Sequence, residues 1–270
     1  MSCAFDGSRR RPDNVPVAPH CARAVYDRIG PGYAARRRTD PRIAAAVDAA
    51  LGDARTLVNV GAGAGAYEPH GRRIVAVEPS RTMIDQRPVN AAPCIQAIAE
   101  RLPFRDRTFD ASLAVLTLHH WTDRDAGLAE LRRVARRRVV ILTWDPAAGR
   151  EFWLTTEYFP EILDLDRPRF PSMATLERSL GAVRAIPVLV PHDCQDGFLG
   201  AFWRRPEAYL DSDVRAAMSG FALLDPETVR RGVTRLADDL RSGRWEARHG
   251  GLRRRDSLDL GYRLVVTERP

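Results

Sequence analysis

Three glycines and one carboxylate carry the most readable chemistry in this sequence. A short apolar run over residues 57–60 ends in Gly61, Gly63 and Gly65, and a second run over 74–77 ends in Glu78. Without a Cβ, the three glycines let the backbone turn sharply and lie against a ligand. Two such runs read as neighbouring parallel strands buried on both faces. Glu78 then leaves its strand on the same edge of the sheet, where its carboxylate can accept hydrogen bonds from both hydroxyls of a ribose. The pair describes a nucleoside site. Because Gly61-x-Gly63-x-x-Ala66 also fits the dinucleotide fingerprint, a nicotinamide cofactor remains open on these residues alone.

Other residues can do chemistry further along. His119 and His120 follow an apolar run, and an imidazole can take a proton near neutral pH. Asp145, preceded by Trp144, follows another and can either orient a polar substrate group or cap a turn. His192, Asp193 and Cys194 suggest a metal or thiol site, but with no partner cysteines and no second histidine cluster they read better as substrate-pocket residues. Trp153, Tyr158 and Trp203 can sandwich a flat molecule or simply fill a core. Cys3, Cys21, Cys94 and Cys194 form no CxxC pair, so no metal is expected and a reducing compartment fits.

The elements that must position these residues follow the hydrophobic pattern. Asp40 caps a helix with Pro41 at its first position and Gly52 past its end. Strands are expected at 56–60, 74–77, 95–97, 111–118, 139–144, 183–190 and 261–267. Ser80, Thr122 or Asp123, and Ser172 start the intervening helices, and Pro69 cuts short the helix after the glycine loop. Alternating strands and helices mean βαβ units and a parallel sheet. The fold class expected is α/β: a doubly wound Rossmann-like sandwich whose seven-stranded, mostly parallel sheet has one antiparallel strand near its edge, plus helical cap insertions. Residues 1–19 read as a disordered N-terminus, 20–150 as a core with an N-terminal lid, 151–260 as cap helices and remaining sheet elements, and 261–270 as the closing strand.

The 270 residues carry a formal net charge of +7, and all 42 basic residues are arginine. They are interleaved with Asp and Glu, which reads as solvated surface rather than a nucleic-acid groove. No apolar run reaches the 18 residues that a membrane span needs, and no secretory leader pattern opens the chain, so a cytoplasmic protein with no membrane partner is expected.

The order of these motifs resembles the class I S-adenosylmethionine-dependent methyltransferases, in the subgroup called methyltransferase type 11. The residues that carry the resemblance are 58–65 with the glycines, 77–80 with Glu78 and Pro79, the Ala99-Glu100-Arg101-Leu102-Pro103-Phe104 loop, Phe109-Asp110, and Leu118-His119-His120-Trp121. The resemblance covers roughly residues 24–145, and the Ala-Glu-x-Leu-Pro-Phe loop is its most specific piece. It implies that Gly61, Gly63 and Gly65 lie under the methionine part of S-adenosylmethionine. Glu78, beside Pro79, would hold the ribose, with Ala99 and Glu100 at the adenine edge and Leu116 against the cofactor. Asn59 stands where the family often has an acidic residue. The segment from Tyr26 to Arg38 resembles the family's lid, with Tyr33 over the cofactor and an arginine near its carboxylate.

The activity implied is direct, in-line methyl transfer to a small-molecule acceptor of aromatic or hydrophobic natural-product type, leaving S-adenosylhomocysteine. His119, His120 and Asp145 are the candidate catalytic residues. Tyr26, Trp121, Trp144, Trp153, His192 and Asp193 are the candidate acceptor contacts. A nicotinamide oxidoreductase, an RNA-modifying protein and a non-catalytic cofactor-binding protein are the alternatives.

Overall fold

The computed structural model describes residues 36–149 and 151–268. Tyr26, Tyr33 and the expected N-terminal lid and tail lie outside the described residues. Within the described residues nine strands are formed: β1 (Thr56–Val60), β2 (Arg73–Val77), β3 (Cys94–Ile95), β4 (Phe109–Val115), β5 (Ala135–Trp144), β6 (Arg184–Pro187), β7 (Val190–Pro191), β8 (Ser257–Leu258) and β9 (Tyr262–Glu268). Seven of them make one sheet in the order β3-β2-β1-β4-β5-β9-β6. All run parallel except β9, which is antiparallel to both β5 and β6. The chain winds outward from β1 to β3, then returns to place β4 on the other side of β1. That reversal opens a crevice at the carboxyl ends of β1 and β4, where ligands bind in open α/β sheets.

Side-chain alternation along the strands supplies both core layers. Leu57, Leu113, Val140 and Leu142 face helix α1 (Pro41–Leu51) and the aromatic cap. Val58, Ala114, Val139 and Ile141 face helix α3 (Arg124–Val134) and helix α5 (Met173–Leu180). Between the glycine loop and α3, helix α2 (Arg81–Ile84) covers a single turn. The capping expectations hold at Asp40, Ser80, Asp123 and Ser172, each accepting from a backbone N–H of the first turn.

Between β5 and β9 the chain builds the cap. Helix α4 (Pro160–Asp166) and helix α6 (Pro226–Arg241) surround buried aromatics, among them Trp153, Tyr209 and Trp245. Tyr158 donates to Asp239 of α6 at 2.9 Å.

Three expectations are corrected. The run at 183–190 is two strands, because after Pro187 the chain leaves the main sheet and β7 pairs with β8 in a separate ribbon. The fourth strand stops at Val115: Leu116 takes a left-handed φ of 49°, and Leu118–His120 form a 3-10 turn, so both histidines sit on a turn beyond the strand. Lastly, the glycine loop leads into no helix; residues 61–72 pass through turns to β2. Pro69 denies the helix a backbone donor, and Tyr67 with φ 61° bends the chain away from helical geometry.

Candidate active site

The crevice at the sheet's carboxyl edge is a cleft of about 620 Å³. Its floor is the glycine loop, with Gly61, Gly63 and Gly65 at φ values of 68°, 53° and 96°. A Cβ on Gly61 would lie 2.0 Å from Thr117 Oγ1, so only glycine lets the loop pass this close to the end of β4. Glu78 lines the cleft and is buried. Its Oε2 accepts from Gly63 N at 2.8 Å and its Oε1 from Ser80 N at 2.9 Å. Each oxygen keeps a second lone pair for a ligand hydroxyl. Burial pushes the Glu78 pKa up, opposed by those two N–H groups and by Arg87.

Support for the loop comes from charges that the sequence reading did not single out. Glu68 and Arg87 form a buried ion pair at 2.7 Å. Arg87 also donates to Gly63 O and Ala92 O, and Glu68 accepts from Ala92 N. Asn59 Nδ2 donates to Glu68 at 3.3 Å, while its Oδ1 is buried with no partner among the described residues. Asn59 lines the cleft, so this orphaned acceptor suits a cationic ligand group such as an ammonium. The residues present therefore fit a nucleoside with an amino-acid tail.

Arg37 lines the same cleft. Its guanidinium is held by the buried Asp196, Nε to Oδ1 at 2.7 Å and Nη2 to Oδ2 at 3.3 Å, in the forked geometry that fixes an arginine's direction. Tyr67 donates to the same carboxylate at 2.9 Å. Asp196 thus ties the glycine loop, the segment before α1 and the cap segment together. Nothing in the sequence pattern marks Asp196 except its place just after Cys194.

A second, inner chamber of about 70 Å³ adjoins the cleft, and Arg37, Leu116 and His120 line both. Leu116 holds its left-handed backbone at this junction, where strained residues gather at functional sites. His119 and His120 lie with ring centroids 3.8 Å apart, and His119 stacks on Phe170 at 4.2 Å. Burial, then the charges of Arg169 and Arg37, push His120 down to about 3. Burial, then His120 and Arg169, push His119 well below the ordinary histidine range. Both rings are therefore neutral and weak as bases near pH 7, unlike the near-neutral imidazoles expected from sequence. Asp166, at the end of α4, lines the chamber, is buried, and is pushed up by burial to about 6 against the pull of Arg169.

The remaining candidates divide. Pro79, Ala99, Glu100 and Trp121 line the cleft. Glu100 accepts from the backbone N–H groups of Thr122 and Asp123, at 2.8 and 3.1 Å. Trp121 packs over Gly127, where a Cβ would strike its ring, and it lines the cleft rather than the inner chamber. Trp144 lines the chamber and donates to Leu260 O at 2.9 Å. Asp145 lines neither space; it closes a turn by accepting from Ala147 N. Trp153 is cap core, its indole donating to Trp203 O. His192 and Asp193 are also away from the site, with Asp193 paired at the surface to Arg42 at 2.7 Å. Asp166, Phe170, Phe198 and Tyr262, which do line the chamber, come from distant chain segments and carried no signal of their own in the sequence.

Comparison with known proteins adds relatives. The family described as "Methyltransferase domain" matches residues 58–143. A solved putative methyltransferase from an antibiotic biosynthesis pathway of Anabaena variabilis ATCC 29413 is 33% identical with a TM-score of 0.80, over 86% of this chain and 98% of its own. The ubiquinone/menaquinone biosynthesis C-methyltransferase UbiE of Burkholderia cenocepacia is 40% identical over 60 residues, 20% of this chain and 25% of that protein. The uncharacterized protein YafE of Escherichia coli is 37% identical over 65 residues, 23% of this chain and 31% of that protein. This chain spans only a quarter to a third of the length of those two curated relatives.

Proposed function

Given that this chain belongs to the class I S-adenosylmethionine-dependent methyltransferases, we propose that it transfers the cofactor's methyl group to a small apolar or aromatic acceptor held in the inner chamber. One observation carries this reading: the cleft and the chamber meet at a wall shared by Arg37, Leu116 and His120. A cofactor in the cleft and an acceptor in the chamber would be neighbours across that wall, the proximity that direct methyl transfer needs. The relatives' printed roles, in antibiotic and quinone biosynthesis, support an acceptor of natural-product type.

When bound, S-adenosylmethionine supplies a sulfonium whose methyl carbon is already activated, and it leaves as S-adenosylhomocysteine. The chain's own residues bind and orient. Glu78 would accept from the ribose hydroxyls, the backbone at Gly61–Gly65 would support the amino-acid tail, Asn59 Oδ1 would accept from its ammonium, and Arg37 would meet its carboxylate. Pro79, Ala99 and Trp121 cover the adenine side. The half-buried His119 and His120, held towards the neutral form, would with Leu116 form a wall that limits water at the transfer point. Among the described residues no helix is long and apolar enough to cross a membrane.

Calorimetric titration with S-adenosylhomocysteine and, in parallel, NADH tests the reading. Micromolar binding of the first is expected, weakened in Glu78→Ala by on the order of 1.5–3 kcal/mol, the scale of one charge-assisted pair. Binding of NADH alone overturns it.

A further inference from the structure

The inner chamber has an apolar body and one polar pole. Phe152, Ile162, Leu163, Phe170, Phe198 and Met218 supply the body. At the pole Asp166 enters from the end of α4, and its Oδ1 accepts from Arg169 Nη1 at 3.1 Å. The charged and titratable groups around it are Arg169 on its own turn, Arg37 from before α1, His119 and His120 from the 3-10 turn, and the Tyr262 phenol from β9. His119 Nδ1 is buried with no hydrogen-bond partner among the described residues.

This lining selects among acceptors. Room for about five to seven waters, taking 10–15 Å³ for each, is the scale of a single ring rather than a fused system. An ammonium would meet Arg37, the guanidinium that lines the chamber, as a like charge, while Arg169 already engages Asp166, and a carboxylate would meet Asp166. A neutral ring presenting one O–H satisfies the pole without adding charge. We infer that the acceptor is a single-ring phenol or enol whose hydroxyl donates to the Asp166 carboxylate, and that Asp166, rather than either histidine, takes its proton during transfer. This rests on the methyl-transfer reading above. The hydroxyl oxygen's electron pair forms the new bond to the methyl carbon, displacing sulfur, which keeps the pair of the broken carbon–sulfur bond. The hydroxyl proton passes to Asp166 and then to solvent, so one sulfonium charge is consumed and one proton released. A buried carboxyl poised near neutrality is matched to that task, whereas the two depressed imidazoles are not.

The test uses 4-nitrophenol, a single-ring phenol whose ionised form absorbs visible light, titrated into protein saturated with S-adenosylhomocysteine. The protein would be wild type, Asp166→Asn or His119→Gln. In wild type and in His119→Gln the bound phenol should ionise at least one pH unit higher than in Asp166→Asn. The carboxylate there accepts the hydroxyl proton and repels phenolate, whereas the neutral amide of the Asp166→Asn variant would leave the phenolate with the Arg37 guanidinium and no opposing carboxylate. A purely structural role for Asp166 would change the melting temperature but not this ionisation midpoint. Equal midpoints in wild type and Asp166→Asn overturn the inference, as does an upshift lost in His119→Gln. Protein that binds S-adenosylhomocysteine but no nitrophenol overturns this inference alone, and protein that binds neither overturns the methyl-transfer reading as well.

Discussion

Single atoms decide how the cleft floor can vary. Gly61 and Gly63 both adopt left-handed backbone, but a Cβ on Gly61 would strike Thr117, whereas one on Gly63 would only touch Met83 at 3.4 Å. Gly63→Ala should therefore cost about 1–2 kcal/mol, the left-handed penalty alone. Gly61→Ala should cost more and also weaken S-adenosylhomocysteine binding, because the loop or Thr117 must move. Urea midpoints and calorimetry on the two variants check the order. At this scale the glycines and Glu78 were legible in the sequence, since backbone freedom and a strand-end carboxylate are local properties. Asp145, Trp153, His192 and Asp193 were not, because the same residue types also cap turns, fill cores and pair at surfaces, and only three-dimensional placement separates those uses.

At the scale of elements, the glycine loop lacks the helix that a dinucleotide fold would place after it. An ion pair takes over the support. Glu68 and Arg87 have side chains 9% and 5% exposed, and both also bind loop backbone. Arg87→Met leaves the Glu68 charge buried and unpaired and should destabilise by about 3–5 kcal/mol, with a parallel loss of cofactor affinity. Adding Glu68→Gln removes the stranded charge and should recover part of the stability; a double-mutant cycle by chemical denaturation measures the coupling. The strands and their alternation with helices were readable from apolar runs and caps. The split of β6 from β7 was not, because a continuous apolar run does not say where Pro187 turns the chain to a different partner strand.

Across the whole molecule, buried titratable groups set the response to acid. His119 and His120 are depressed in the folded state, so folding is favoured while they are neutral and loses up to about 1.4 kcal/mol per pH unit for each as pH falls below its unfolded value. Asp166 is raised, so its proton favours the folded state between about pH 4 and pH 6, and its ionisation above that range costs about 3 kcal/mol. Two histidines outweigh one carboxyl. The melting temperature should therefore drop from pH 7 to pH 5, and His120→Gln should flatten the drop. Asp166→Asn should be more stable than wild type at pH 7, with the advantage shrinking towards pH 4. Melting curves across this pH series check both signs.

The sequence by itself determined what depends on near neighbours in the chain: strands from alternation and apolar runs, helix starts from capping residues, the sharp glycine turn, and the carboxylate at the end of the neighbouring strand. From the order of those pieces followed the sheet and its crevice, and the family resemblance of that order implied the cofactor. Only the tertiary structure decided what depends on residues far apart. Arg37 is aimed by Asp196, 159 positions away. The chamber gathers Leu116, Asp166, Phe198 and Tyr262 from four separate segments, and burial there weakens both histidines while it poises Asp166. Desolvation belongs to the assembled surroundings and leaves no mark on the order of residues.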